Sequence, residues 1–457
     1  MSSKDNLFTD EQMRQFLTRG FVSMRVDMPD GFHRGIYDRC EEVYEKEGNP
    51  GNNILPRVPE LQQVFDHPTV DGAFNSILGP DYVMHVHRHG HLTKGKSEDR
   101  GWHKDSYWGY RKIRYHHPRW AMVFYYPQAI TLENGPTRVC PGSHIYDERF
   151  DALADEGGPV LGEAGTIAIV HFDLWHKASA NLTDGNRFMM KFQFHRMGEP
   201  EGPTWNNQDE SWASMHDDLS KHDVIWEEHW DWLSGRRSAS VDGNVAELSA
   251  DLTMESEPSR MNAGYSLGRI GEPAVGVLMD GLLGQNEAAR RASAYGLGVA
   301  GESAVQGLLE GIASDDEDIR SHAAFALGDM GAAAESAVPD LASATSDPSE
   351  RVRHHTVEAL GTINRNPEIA VPALSRALSD EDGQVRYNAA YSLATFGTDA
   401  ADAVPALAKA LQDDNRYASG HAVTALRQIR TPEAVDTLLA WMETTRWCPF
   451  TSKESTF

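Results

Sequence analysis

The second half of the chain repeats itself, and that repetition limits the folds open to it. A Val-x-x-Leu start recurs at Val275, Val305, Val338, Val371 and Val404, in steps of 30, 33, 33 and 33 residues. Between these starts lies a partner segment in which Leu follows the first residue by seven: Arg260/Leu267, Arg290/Leu297, Arg320/Leu327, Arg353/Leu360 and Arg386/Leu393. Ser419/Leu426 is a degenerate sixth, and Val245-Ala246-Glu247-Leu248 and Val435-Asp436-Thr437-Leu438 fit as first and last copies of the Val segment. Asp or Asn with Gly or Pro punctuates the junctions, as in Ser346-Asp347-Pro348. Such a pattern predicts six two-helix units and a closing helix, stacked so that each unit buries its apolar face on its neighbours.

Ala323-Ala324-Phe325-Ala326-Leu327-Gly328 and Ala389-Ala390-Tyr391-Ser392-Leu393, each after Ile-Arg or Val-Arg, resemble HEAT-like repeats of the short bilin-lyase type. The resemblance covers about residues 245–445 and implies a scaffold or recognition surface. The recurring arginines read as a structural ladder pairing with neighbouring acids.

The first 235 or so residues follow a different grammar, rich in aromatics and histidine. Thr9-Asp10-Glu11-Gln12 has capping-box spacing, and Gly20 closes the amphipathic segment it opens. Phe21–Val26, Tyr82–His91, Trp120–Tyr126, Thr166–Phe172 and Phe188–Phe194 are strand-length runs separated by turns such as Glu133-Asn134-Gly135-Pro136. Many short strands with few long helices suggest a sandwich or jelly-roll barrel. The whole is therefore expected to be multidomain: a catalytic domain over 1–237, a linker over 238–244, a solenoid over 245–447 and a tail over 448–457.

Charge and composition narrow the function. The 42 Lys/Arg against 68 Asp/Glu give −26; from Val241 onward 16 against 32 give −16, which leaves −10 for the first part. Both halves are acidic, which argues against nucleic acid or an anionic membrane as partner. No apolar run approaches the roughly 18 residues of a membrane span, and Met1–Phe8 lacks a signal-peptide core. Cys40, Cys140 and Cys448 form no paired motif, consistent with a reducing compartment. A soluble, cytoplasmic protein is expected.

His-x-Asp occurs four times, at His103/Asp105, His171/Asp173, His216/Asp218 and His229/Asp231, so the motif alone decides nothing. On an extended strand, residues i and i+2 share a face and can present an imidazole and a carboxylate to one metal. A third ligand from elsewhere completes a two-His, one-carboxylate face with open coordination positions. Only His103/Asp105 has the remainder. His176 follows at the end of a strand-like run, and Arg187 comes 11 residues later, opening the next strand. An arginine fork suits a dicarboxylate's far end.

Gly101-Trp102-His103-Lys104-Asp105-Ser106-Tyr107, Asn134-Gly135-Pro136-Thr137 with Pro141-Gly142-Ser143-His144, and Trp175-His176 leading through Asn181 to Arg187 resemble the phytanoyl-CoA dioxygenase family. The resemblance covers roughly residues 7–200. It implies a double-stranded β-helix (a jelly roll of α+β type) using Fe(II), 2-oxoglutarate and O2. By the same resemblance His103, Asp105 and His176 are catalytic iron ligands and Arg187 anchors the co-substrate. Phe124 falls beside the co-substrate, Thr137 and Lys104 are minor contacts, and Ser179 stands in for a serine absent at Ala178. The intact Asp105 distinguishes the chain from related halogenating enzymes and favours hydroxylation, or desaturation by the same hydrogen abstraction, with release of succinate and CO2.

His85, His87, His89 and His91 alternate along one strand and so share a side. His87 and His89 are candidate substrate contacts, as are Tyr107, Trp108 and Arg111 just after the metal motif. Trp226, Trp230 and Trp232 read as a packing helix. The expected substrate is a small-molecule metabolite. A peptide or carrier-bound substrate brought by the solenoid is the alternative, and a non-catalytic scaffold or sensor the third reading. The solenoid also offers a surface for a protein partner or self-association.

Overall fold

The computed structural model describes residues 4–105, 113–148, 157–215 and 221–444, and the chain divides into two compact units that meet in sequence at Arg237/Ser238. Tyr107, Trp108, Arg111, the His216/Asp218 pair and the 448–457 tail lie outside the described residues.

The first unit begins with α1 (Asp10–Arg19). Its capping box is formed: Thr9 Oγ1 accepts from the Gln12 amide at 3.3 Å, and Gln12 Oε1 accepts from the Thr9 amide at 2.9 Å. Gly20 ends the helix at φ 77°, in the left-handed region that favours glycine. Next come β1 (Phe21–Arg25), α2 (Phe32–Glu47), α3 (Ile54–Arg57), α4 (Glu60–Phe65) and α5 (Pro68–Leu78). Then follow β2 (Val83–Thr93), β3 (Trp120–Tyr125), β4 (Thr137–Val139), β5 (Thr166–His171), β6 (His176–Ala178), β7 (Arg187–His195) and α6 (Asp223–Leu233).

The strands form an antiparallel five-stranded sheet in the order β1-β5-β3-β7-β2 and a small sheet of β4 with β6. This is the two-sheet division of a jelly roll. Alternation on β7 sorts its faces. Phe188, Phe192 and Phe194 pack with the helical layer: Phe65 on Phe192 at 4.5 Å and Phe74 on Phe194 at 4.0 Å between ring centroids. That leaves Arg187, Met189, Lys191, Gln193 and His195 to the other face. The apolar core between sheet and helices includes Ile36, Val64, Val70, Ile77, Val123 and Ile169, all essentially inaccessible.

Two expectations need correcting. The stretch between β1 and β2 is helical, so this unit has more helix than its strand-rich sequence suggests. His176 does not end a strand: β5 stops at His171, a turn closed by the Leu174 amide on the His171 carbonyl (3.1 Å) follows, and His176 opens β6 in the other sheet. Trp226 and Trp230 are fully buried on α6, and Trp230 meets Trp205 edge-on at 5.0 Å, as a packing helix requires.

The second unit is the expected stack. The Val segments are α7 (Val245–Asp251), α9 (Glu272–Leu283), α11 (Val305–Ile312), α13 (Val338–Ala344), α15 (Pro367–Ala377), α17 (Val404–Ala410) and α19 (Pro432–Thr444). Their partners are α8 (Glu257–Ile270), α10 (Glu287–Ala300), α12 (Glu317–Asp329), α14 (Glu350–Ile363), α16 (Gly383–Thr395) and α18 (Arg416–Ile429). The junction Asp and Asn residues are N-caps. Asn286, Asp316, Asp382 and Asn415 each accept from two backbone amides of the helix they open. The arginine ladder is also present. Arg320, Arg353 and Arg386 bind Asp347, Asp380 and Asp413 through Nε and Nη2, at 2.7–3.0 Å. Each such aspartate also accepts the backbone amide two residues on, tying one repeat to the next.

Candidate functional site

His103 and His176 are paired backbone to backbone across an antiparallel bridge, and their rings lie 4.4 Å apart. Each ring nitrogen Nδ1 faces a carbonyl two residues back: His103 to Gly101 O at 3.1 Å and His176 to Leu174 O at 3.0 Å. A carbonyl only accepts, so in both rings Nδ1 carries the proton and Nε2 keeps its lone pair. Asp105, two residues from His103, brings Oδ2 to 3.5 Å from His176 Nε2. One donor atom from each of the three residues lies within 4.8 Å of the others. Fixed tautomers with inward lone pairs beside a carboxylate are what a divalent metal needs.

The electrostatics agree. Burial alone would raise the Asp105 carboxyl; Lys191, His176 and His103 override it and hold it down at about 2. Burial pushes His176 down to about 4, against the pull of Asp105, so the ring is neutral at ordinary pH.

The turn Pro141-Gly142-Ser143-His144 positions His176 from behind. Ser143 Oγ accepts from the Trp175 amide at 3.0 Å while donating to Cys140 O at 2.7 Å, and the Cys140 amide donates to Trp175 O at 2.9 Å. His144 bonds Leu17 O at 2.9 Å through Nε2, anchoring the turn to α1. Lys104 donates to Tyr146 O at 2.5 Å and leans over Trp175, so it supports the same turn.

Arg187 opens β7 with 1% of its surface exposed. Its Nε donates to Gly135 O at 3.0 Å, and its guanidinium lies over the Tyr126 ring at 5.9 Å. Its buried Nη2 has no hydrogen-bond partner among the described residues. Burial lowers its pKa from the ordinary value, which the neighbouring Tyr126 phenol offsets only in part. An unpaired buried guanidinium nitrogen is costly in a finished core and well suited to a carboxylate ligand. Asn181, the other residue of that motif, holds the loop before β7 by donating to Thr93 O and Gly185 O.

Phe124 is fully buried on β3, its ring 5.2 Å from that of His176. Thr137 is buried on β4 opposite Ala178, and neither its hydroxyl nor that of Tyr126 has a hydrogen-bond partner among the described residues. Ser179 lies just past β6, its amide on Pro136 O at 2.9 Å. On β2 the register shifts between Met84 and Arg88, and His87, His89 and His91 form a row that does not take in His85. His87 stacks near His89 at 6.2 Å, His89 near His91 at 4.7 Å, and His85 lies against Trp120 and His195.

The sequence reading missed Tyr126 and Lys191. Lys191 Nζ is 2.6 Å from Asp105 Oδ2. Its spacing from Arg187, four residues along a strand, already placed both on one face.

The remaining His-x-Asp copies are structural where described. His171 bonds His116 O and accepts the Asp173 amide. His229 is buried on α6 while Asp231 pairs with Arg236 at 2.8 Å. Two other trios also bring donor atoms together, His117/Glu228/His229 and His354/His355/Glu358. In the first, Arg119 donates to His117 Nδ1 at 3.4 Å, which leaves the Nε2 proton for Glu228 at 3.0 Å. In the second, His354 Nε2 accepts from Asn388 at 3.0 Å. Both bonds use the lone pair a metal would take.

Comparison with known proteins finds one family in each unit. Residues 38–189 match the family model for phytanoyl-CoA dioxygenase, and residues 305–394 and 371–447 match HEAT repeats. A curated relative, the dioxygenase andF of Emericella variicolor, is 28% identical over 166 residues. The match takes in 34% of this chain, which spans only 56% of that relative's length. Similar solved structures include the non-heme α-ketoglutarate-dependent carbocyclase SnoK from nogalamycin biosynthesis (20% identity, 43% of this chain and 87% of that one, TM-score 0.36). Another is EctD from S. alaskensis with 2-oxoglutarate and 5-hydroxyectoine (15% identity, 43% and 80%, TM-score 0.37).

Proposed function

We propose that this chain, which carries a phytanoyl-CoA dioxygenase domain at residues 38–189, is an Fe(II)- and 2-oxoglutarate-dependent oxygenase that hydroxylates a small-molecule metabolite. One arrangement carries the reading: a two-histidine, one-aspartate set with the imidazole lone pairs turned inward, on the same β-sandwich domain as a buried arginine with an unpartnered nitrogen.

In this reading His103, Asp105 and His176 hold the iron, and Arg187 clasps the far carboxylate of 2-oxoglutarate. The metal and co-substrate, when bound, activate dioxygen for oxidation of a C–H bond, with release of succinate and CO2. The protein's share is to bind, orient and exclude water. Gly101 and Leu174 carbonyls keep both imidazoles in the ligating tautomer. Gly135 O fixes the Arg187 fork through Nε and leaves its other edge for the carboxylate. Phe124 and Tyr126 form an apolar floor that keeps water from that ion pair. Thr137 and Ser179 border the same end, and His87 and His89 line the substrate side.

The solenoid, a match to HEAT repeats, is assigned to protein interaction or self-association.

The test is anaerobic loading of the purified chain with Fe(II) and 2-oxoglutarate, followed by a metabolite-pool screen for substrate-stimulated succinate and oxygen uptake. A chain that forms no iron–2-oxoglutarate chelate sinks the proposal. A chain that forms the chelate but never turns over is a sensor or scaffold instead. A truncation ending near Gly235 with unchanged turnover excludes a substrate recruited by the solenoid.

A further inference from the structure

Lys191 shares an oxygen with the metal site. Its Nζ is 2.6 Å from Asp105 Oδ2, the oxygen that faces His176 Nε2 at 3.5 Å. The lysine is 5% exposed, and its cross-strand neighbours are Phe124 on β3 and His89 on β2. A divalent cation held by His103, Asp105 and His176 would draw on the same oxygen as this ammonium, and the two like charges repel strongly at such range.

The basic side chains Lys191 and Arg187 lie on the same face of β7, and Lys191 is paired with Asp105. A divalent metal would add to this positive set, and a dianionic 2-oxoglutarate offsets only part of it. Arg187 is already committed to one carboxylate. A divalent metal drawing on Asp105 would leave the Lys191 charge under-compensated, which is unfavourable in a buried site unless an anion meets it.

The row beside the lysine offers a second unmet group. On β2, Thr93, His91 and His89 pair with Arg187, Met189 and Lys191 of β7, so His91 lies between the two cations. It is part-buried, and Asp105, Lys191 and Arg187 all act on it electrostatically. Its Nε2 has no hydrogen-bond partner among the described residues.

Building on the iron and 2-oxoglutarate reading, we propose that Lys191 is an anion-recognition group beside the metal, so that the enzyme takes a substrate bearing a carboxylate or phosphate. Asp105 holds the ammonium in place, the metal weakens that hold, and the anion restores charge balance. His91 lies where it supplies a neighbouring hydrogen bond.

The test compares full-length wild type with Lys191→Met and Lys191→Arg. Metal-depleted protein is first titrated with Zn(II). Loss of the competing ammonium tightens Zn(II) binding in the Met variant by about tenfold, and Arg keeps wild-type affinity. Weaker binding in Lys191→Met makes the lysine a prop for Asp105 and overturns the proposal. The Fe(II)–2-oxoglutarate complex is then titrated anaerobically with acetate and with methyl phosphate, following its charge-transfer absorption. At least one probe perturbs the band saturably in wild type and in Lys191→Arg. In Lys191→Met it does so about tenfold more weakly, with 2-oxoglutarate affinity nearly unchanged. A tenfold loss of 2-oxoglutarate affinity without a probe response assigns the lysine to the co-substrate's own carboxylate and overturns the substrate role. A wild-type band that ignores both probes sinks this inference alone. A missing wild-type band sinks the iron and 2-oxoglutarate reading on which it rests.

Discussion

The amide of His103 donates to the carbonyl of His176, and the amide of His176 returns the bond to His103, each at 3.0 Å. Two imidazoles far apart in sequence are thus locked as a directly opposed pair, and their spacing is set by backbone geometry before any metal arrives. His176→Ala leaves this backbone pair intact and removes only the ring. The expected outcome is a folded protein whose Fe(II) affinity falls roughly a hundredfold or more, with turnover lost. Equilibrium metal titration beside circular dichroism checks it, and iron-dependent turnover in the variant would refute the ligand assignment.

Arg187 is tested by Arg187→Gln, which keeps a donor but removes the charge and the fork. Charge-assisted bonds contribute about 1.5–3 kcal/mol each, so 2-oxoglutarate binding weakens about 10- to 100-fold while Fe(II) binding stays near wild type. Equal losses for both ligands would mean that the arginine only supports the fold.

Gly135 links these two parts. Its φ is +80°, and a Cβ there would sit 2.8 Å from the Ser179 carbonyl, while its own carbonyl holds Arg187 Nε. Gly135→Ala is expected to cost about 1–3 kcal/mol of stability and to weaken 2-oxoglutarate binding by displacing the arginine. Chemical denaturation and co-substrate titration read the two effects, and an unchanged value for both would show that the turn can relax freely.

In the solenoid, Arg353→Ala strands Asp380, which is 10% exposed at its side chain and loses a two-pronged partner. Removing one member of a buried pair costs about 3–5 kcal/mol, and this partly accessible pair should lie at the low end. The denaturation midpoint of the full chain measures it. Arg353→Met with Asp380→Leu, which removes both charges, should recover much of the loss.

Acid should destabilise both units in the same window. Burial holds His171 and His322 down at about 4, and His195 and His354 at about 3, against the ordinary 6.5. Between pH 6.5 and about 4 the unfolded chain binds protons that the folded chain does not, so stability is complete above 6.5 and falls as pH drops through this window. A tenfold weaker hold on the proton in the folded chain corresponds to about 1.4 kcal/mol, so several such histidines give a steep loss. Melting midpoints at pH 7.5, 6 and 5 test the slope, and His322→Gln should flatten it. A midpoint flat across that range contradicts the burial argument.

The sequence alone determined the solenoid almost completely, because each repeat contacts mainly its neighbours. Its signals are local: Val and Leu at helical spacing, Asn and Asp caps, and Arg353 reaching Asp380 just 27 residues on. It also named the candidate ligand set, since His103 and Asp105 sit two apart on an extended segment and Arg187 trails His176 at short range. Only the tertiary structure decided what depends on which strands become neighbours. It moved His176 from the end of one strand to the start of another in the second sheet. It placed Ser143 behind Trp175 and laid Arg187 over Tyr126. It also set Lys191 on Asp105, a contact across 86 residues that no periodicity encodes. Side-chain period is local, whereas strand order and register are fixed by the packing of the whole sheet on its helices.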